Sequence, residues 1–129
     1  MPHFQIQYSG NLEQFVDMGA FCGALRSEAA LIATFPTPGI RVRATRVDHY
    51  AIADGDPKHS FVDISIRLRG GRTAEVKKDA STRIFEAAKA FLAEAMTAHS
   101  IALSLEMRDI DPELSPKYGT IRDHLEDPS

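Results

Sequence analysis

The sequence predicts an α/β (α+β) fold in which two tandem β-α-β units form one four-stranded mixed sheet with two helices on one face. Two observations carry this expectation. Runs of period-two alternation, the mark of a half-buried strand, flank stretches whose apolar residues recur three and four apart, the mark of a helix. The order strand, helix, strand also occurs twice, offset by about 60 residues, and each pass is long enough for a crossover that returns a parallel strand.

The first strand is Pro2 to Tyr8, where Pro2, Phe4, Ile6 and Tyr8 alternate with His3, Gln5 and Gln7. Asn11 with Gln14 is expected to cap a short turn. A helix follows from Asp17 to Ala33, with Phe21, Leu25, Ala29 and Ile32 on one side and Asp17 as its N-cap. Phe35-Pro36-Thr37-Pro38-Gly39 must break that helix, and Ile40 to Ala44 alternates again with Arg41 and Arg43 on one face. Ala53-Asp54-Gly55-Asp56-Pro57 reads as a turn.

The second unit comprises a strand from Phe61 to Arg69, a loop Gly70-Gly71-Arg72, a helix from Thr73 to Ala98 and a strand from Ser100 to Ile110. Val76, Ala80, Ile84, Ala87, Ala88, Phe91, Leu92 and Ala95 form the apolar stripe of that helix, and Lys77, Lys78, Arg83, Glu86 and Lys89 lie largely off it. One domain over 1–129 is expected, with units of about 2–58 and 59–111. The tail, 112–129, holds Pro112, Pro116, Gly119 and Pro128 and is expected to be extended or turn-like. Ile64, Ile66 and Leu68 supply more apolar surface than one face readily exposes, so the face without helices is expected to be covered by subunit association.

Composition narrows the function classes. The 129 residues are 43% hydrophobic and 26% charged, with a formal charge of −3 and basic residues scattered among acids. The concentrated positive footprint of a nucleic-acid binder is missing, so no nucleic acid is expected as a partner. Cys22 is the only cysteine, which rules out an internal disulfide and points to a reducing, cytoplasmic location. With no basic segment leading into an apolar run at the N-terminus and no stretch of 18 apolar residues, neither a signal peptide nor a membrane association is expected.

Pro2 is the residue with the most distinctive chemistry. As a structural residue it starts a strand without needing an N–H donor. As a catalyst, once Met1 is removed, it is a secondary amine on the face of Phe4 and Ile6. Desolvation and nearby guanidinium groups both disfavour its protonated form and are expected to draw its pKa towards the neutral range. Arg41, Arg43 and Arg72 suit anion capture, because the planar guanidinium matches a carboxylate and the Gly70-Gly71 loop presents backbone N–H groups at a helix start. The five histidines lack zinc spacing, so no metal is expected. Cys22 reads as a small buried hydrophobe, and no G-x-S-x-G frame surrounds Ser9, Ser27 or Ser65.

Met1-Pro2-His3-Phe4, Gly39-Ile40-Arg41-Val42-Arg43-Ala44, Asp48-His49-Tyr50 followed by Ile52-Ala53-Asp54-Gly55, and Glu106 to Ser115 together resemble the 5-carboxymethyl-2-hydroxymuconate isomerases of the tautomerase superfamily. The resemblance implies a homotrimer of tautomerase-like double β-α-β subunits, with sheets facing a central channel. It implies a cofactor-free isomerase, with no metal, that converts a dienol dicarboxylate or tricarboxylate of homoprotocatechuate degradation to its conjugated keto isomer. By the pattern of 4-oxalocrotonate tautomerase, a shorter relative, the catalytic residues are Pro2, Arg41 and Arg72. Arg41 and Arg72 also bind substrate, with Arg43 and Tyr118 as further substrate-binding candidates. In the opposite repeat Val62 stands for Pro2, Leu12 for Arg72 and Ala102 for Arg41, which leaves one site per chain. Two alternatives stay open at this point: a superfamily hydratase, dehalogenase or decarboxylase that uses the same proline, and an interaction module like macrophage migration inhibitory factor, whose paired-thiol motif is absent here.

Overall fold

The computed structural model describes residues 2–126. Strand β1 (His3–Ser9) leads through a 3-10 turn to helix α1 (Met18–Ala30) and strand β2 (Arg41–Val47); strand β3 (His59–Arg69) leads to helix α2 (Ala74–Ala98) and strand β4 (Ser100–Ile110). The sheet order is β2-β1-β3-β4. Within each unit the strands are parallel, β1 with β2 and β3 with β4, while β1 and β3 meet antiparallel at the centre. The expected mixed sheet with two helices on one face is therefore what forms.

Alternation in the two central strands decides where the core lies. Phe4 and Ile6 of β1 and Val62, Ile64, Ile66 and Leu68 of β3 meet Phe21, Leu25 and Ala29 of α1 and Ile84, Ala88 and Leu92 of α2, all buried. Each large side chain so enclosed contributes about 1.5–3 kcal/mol relative to exposure. The helix starts follow from local chemistry: Asp17 accepts from the N–H of Ala20 at 3.0 Å and Thr73 from that of Val76 at 3.2 Å. Val76 and Phe91 lie at the margins of the α2 stripe, 42% and 37% exposed, although Phe91 still packs edge-on against Phe21.

Four expectations need correction. Helix α1 ends at Ala30, not Ala33, because the N–H groups of Leu31 and Ile32 bond three residues back, to the carbonyls of Glu28 and Ala29, and tighten the chain into turns. Ile32 and Phe35 nevertheless stay buried through successive tight turns, and Phe35 packs edge-on against Phe4. Strands β2 and β3 run further than alternation alone indicates, since Thr45, Arg46 and Val47 pair with Gln7, Tyr8 and Ser9, and His59 and Ser60 with Ser100 and Ile101. Asn11 caps nothing; its amide donates to the carbonyl of His59 at 2.8 Å and accepts from the Ser60 hydroxyl at 3.0 Å, tying the first unit to the second.

The fourth correction concerns the open face. Ile64, Ile66 and Leu68 all point under the helices, so the face without helices carries the opposite parity: His3, Gln5, Arg41 and Arg43 beside Asp63, Ser65, Arg67, Glu106 and Arg108. That face is polar, and cross-strand pairs such as Ser104 with Asp63 at 2.7 Å run over it. An apolar surplus is not what would bring subunits together.

Candidate active site

The start of β1, the start of β2 and the ends of β3 and β4 converge at one end of the sheet, where His3 lies opposite both Arg41 and Arg67, and Arg69 opposite Ile110. Pro2 sits there, buried, and its carbonyl accepts the N–H of Arg41 at 3.1 Å. Met1, whose removal was expected, lies outside the described residues.

Two turns aim the arginines. Thr37–Gly39 forms a 3-10 turn with Pro36 and Pro38 restricting its backbone, and Arg41 donates one guanidinium N–H to the carbonyl of Gly39 at 2.8 Å. In the other unit Gly71 takes φ of 108°, which a side chain would strain, and Arg72 donates one N–H to the carbonyl of Arg69 at 2.9 Å. Among the described residues each guanidinium is thus fixed by one bond and keeps further N–H groups for a ligand.

Arg41, Arg72 and Tyr118 line one cavity of about 480 Å³, joined by Arg69 and Lys117. The tail after Pro116 forms its outer wall, and Tyr118 is 96% exposed there. Among the described residues no carboxylate lies within ion-pair distance of Arg41, Arg69, Arg72 or Lys117. Arg122 lines the cavity as well; the four cations without a nearby carboxylate suit an anion, because guanidinium groups hold carboxylates in a defined plane.

Arg43 is not brought into this cavity. It shares the face of Arg41, but two residues along a strand carry it about 6.6 Å from the sheet end, and it donates to Nδ1 of His3 at 3.2 Å. Sequence reasoning also missed residues that the structure gathers. Arg69 and Lys117 line the main cavity, and with His3 and Arg67 they line an adjacent one of about 450 Å³. The signal for Arg67 and Arg69 was their shared parity on β3. Burial, then the charges of Arg67, Arg43 and Arg41, lowers the pKa of His3 below its ordinary value, which favours the neutral ring.

The opposite repeat has lost these groups. Val62 and Leu12 are fully buried in the core, where no charge belongs. The register corrects the third counterpart: Ser104 faces Asp63 as Arg41 faces His3, so Ser104, not Ala102, occupies the place of Arg41. Among the described residues no three His, Cys, Asp or Glu side chains group to hold a metal ion.

Comparison with known proteins decides the lineage, because the family model of 5-carboxymethyl-2-hydroxymuconate isomerase matches residues 2–125. The chain belongs to this isomerase family. The family's 5-carboxymethyl-2-hydroxymuconate Delta-isomerase of Escherichia coli is 30% identical over 121 residues, 94% of this chain and 96% of that protein. A crystal structure of a 5-carboxymethyl-2-hydroxymuconate delta-isomerase superposes with a TM-score of 0.87 at 31% identity, covering 96% of this chain and 92% of that one. A wild-type fused 4-OT described as a symmetric trimer has a TM-score of 0.65 at 21% identity, covering 90% and 93% of the two chains, and shares the fold. Pro2 itself lines neither of the two cavities and adjoins the first through the bond of its carbonyl to the N–H of Arg41.

Proposed function

We propose that this isomerase converts 5-carboxymethyl-2-hydroxymuconate to its conjugated keto isomer with the amine of Pro2 as general base and acid. After removal of Met1, the neutral amine takes the proton of the dienol hydroxyl. The O–H electron pair becomes the new carbonyl bond, the double bonds shift along the chain, and the Pro2 ammonium returns the proton to the carbon at the far end. One O–H bond breaks and one C–H bond forms, with no net oxidation, so the chemistry calls for no metal or cofactor. Arg41 and Arg72 grip the substrate carboxylates and stabilise the dienolate, while Tyr118 borders the substrate. The protein works as a cytoplasmic homotrimer in the catabolism of an aromatic compound.

The observation that carries this reading is the convergence of Arg41 and Arg72, from different repeats, on one cavity next to the backbone of Pro2, with no carboxylate within ion-pair distance of either guanidinium among the described residues. Membership of the isomerase family supports the substrate. A hydratase or dehalogenase would use a carboxylate to activate water, and neither Asp nor Glu lines this cavity among the described residues. Pro2→Ala should remove most of the activity and leave assembly intact; full turnover of the dienol by that variant would refute the mechanism.

A further inference from the structure

The second cavity shares Arg69 and Lys117 with the first and adds His3 and Arg67 from the open face of the sheet. No Asp or Glu lines it among the described residues, and its apolar wall includes Ile110, Pro112 and Pro116. Two of its polar groups are left with donors to spare. Nε of Arg67 is buried and has no hydrogen-bond partner among the described residues, an unusual state for a charged group, and its guanidinium borders the cavity. His3 accepts from Arg43 at Nδ1, because a guanidinium only donates, so the ring proton belongs on Nε2 as a further donor.

We infer that this second compartment binds a carboxylate carried on a short saturated arm of the same substrate whose conjugated chain is held by Arg41 and Arg72. The inference rests on the reaction proposed above and deepens it. A planar dienol with a carboxylate at each end needs only the first cavity. A third carboxylate on a methylene arm needs a separate set of cations out of that plane, with an apolar wall for the methylene, and the second compartment supplies both. Arg67 is then a specificity-determining residue, placed to read the arm while taking no part in proton transfer, and Arg69 and Lys117 form the boundary between the two compartments.

The test compares kcat and KM for 5-carboxymethyl-2-hydroxymuconate and for 2-hydroxymuconate, which lacks the arm, in wild-type protein, Arg67→Met, Arg67→Lys and Lys117→Ala. Arg67→Met should raise KM for the armed substrate about tenfold or more while leaving that for 2-hydroxymuconate within about twofold. Arg67→Lys should restore most of the preference, and Lys117→Ala, on the exposed tail, should weaken the armed substrate more than the unarmed one. Equal effects on both substrates, or none in either Arg67→Met or Lys117→Ala, overturn the inference. So does loss of assembly in Arg67→Met with an unchanged preference, which assigns Arg67 to a contact between copies. Wild-type protein that converts neither compound refutes the reaction itself, and that result is distinct from wild-type turnover of both with no variant affected.

Discussion

Replacing Arg72 by Ala removes a guanidinium whose hydrogen bond within the described residues is a single N–H on the carbonyl of Arg69 at 2.9 Å. That bond lies in an exposed loop, so its loss should change stability by no more than about 1 kcal/mol. The unused donors matter more. A bidentate charge-assisted pair with a substrate carboxylate contributes about 3 kcal/mol, which corresponds to a fall of roughly 150-fold in kcat/KM. Arg72→Lys keeps the charge but loses the planar fork, and should recover about tenfold of that loss. The assay follows loss of the dienol chromophore under steady-state conditions, with a thermal melt of each variant. A value of kcat/KM within twofold of wild type in Arg72→Ala, at unchanged melting temperature, refutes the role of Arg72. A large drop in melting temperature would instead make Arg72 a structural residue.

Other expectations follow from the core and the titrating groups. Leu25→Ala empties a fully buried site on α1 and should destabilise by about 2–5 kcal/mol; a melting temperature lowered by less than about 3 °C would contradict the packing described. The Tyr8 hydroxyl donates to Glu13 at 2.6 Å, and that bond, followed by burial, pushes its pKa from an ordinary 10.0 up to about 12. The folded chain therefore keeps a proton that the unfolded chain has lost, so this contribution is complete below pH 10.0 and disappears as pH rises towards about 12. Tyr8→Phe should flatten that alkaline decline in urea melts taken across the interval, and an unchanged slope would contradict the assignment.

Much of the fold was legible because it is written in local patterns. Alternation at Phe4 and Ile6 and again at Ile64, Ile66 and Leu68 marks central strands, and Asp17 and Thr73 announce helix starts through bonds they make three residues on. The same alternation held the answer for the open face: if Ile64 and Ile66 share one side, Asp63, Ser65 and Arg67 must share the other. The end of α1 was harder, since Ile32 and Phe35 remain in the core after the helix has stopped. Their apolar spacing continues a helical pattern that the tight turns from Leu31 onward interrupt.

The candidate site was legible where a motif fixes geometry and obscure where the register does. Arg41 and Arg72 stand out beside proline and glycine turns. Arg67 becomes a neighbour of His3 only through the antiparallel pairing of β1 with β3, and Lys117 reaches both cavities only because the tail folds back over the sheet end. The shift from Ala102 to Ser104 has the same origin. A repeat offset holds from Pro2 to Val62 but not through helices of 13 and 25 residues with connections of different lengths.

The central claim is that a free secondary amine at Pro2 performs the proton transfer. The direct measurement compares turnover of the dienol by protein shown by intact mass to begin at Pro2 with turnover by the same chain carrying one uncleaved residue ahead of Pro2. An amide nitrogen has no basic lone pair, so the extended protein should lose activity by a factor of about 10² to 10⁴ while keeping its fold and assembly. Equal rates for the two proteins would contradict the mechanism.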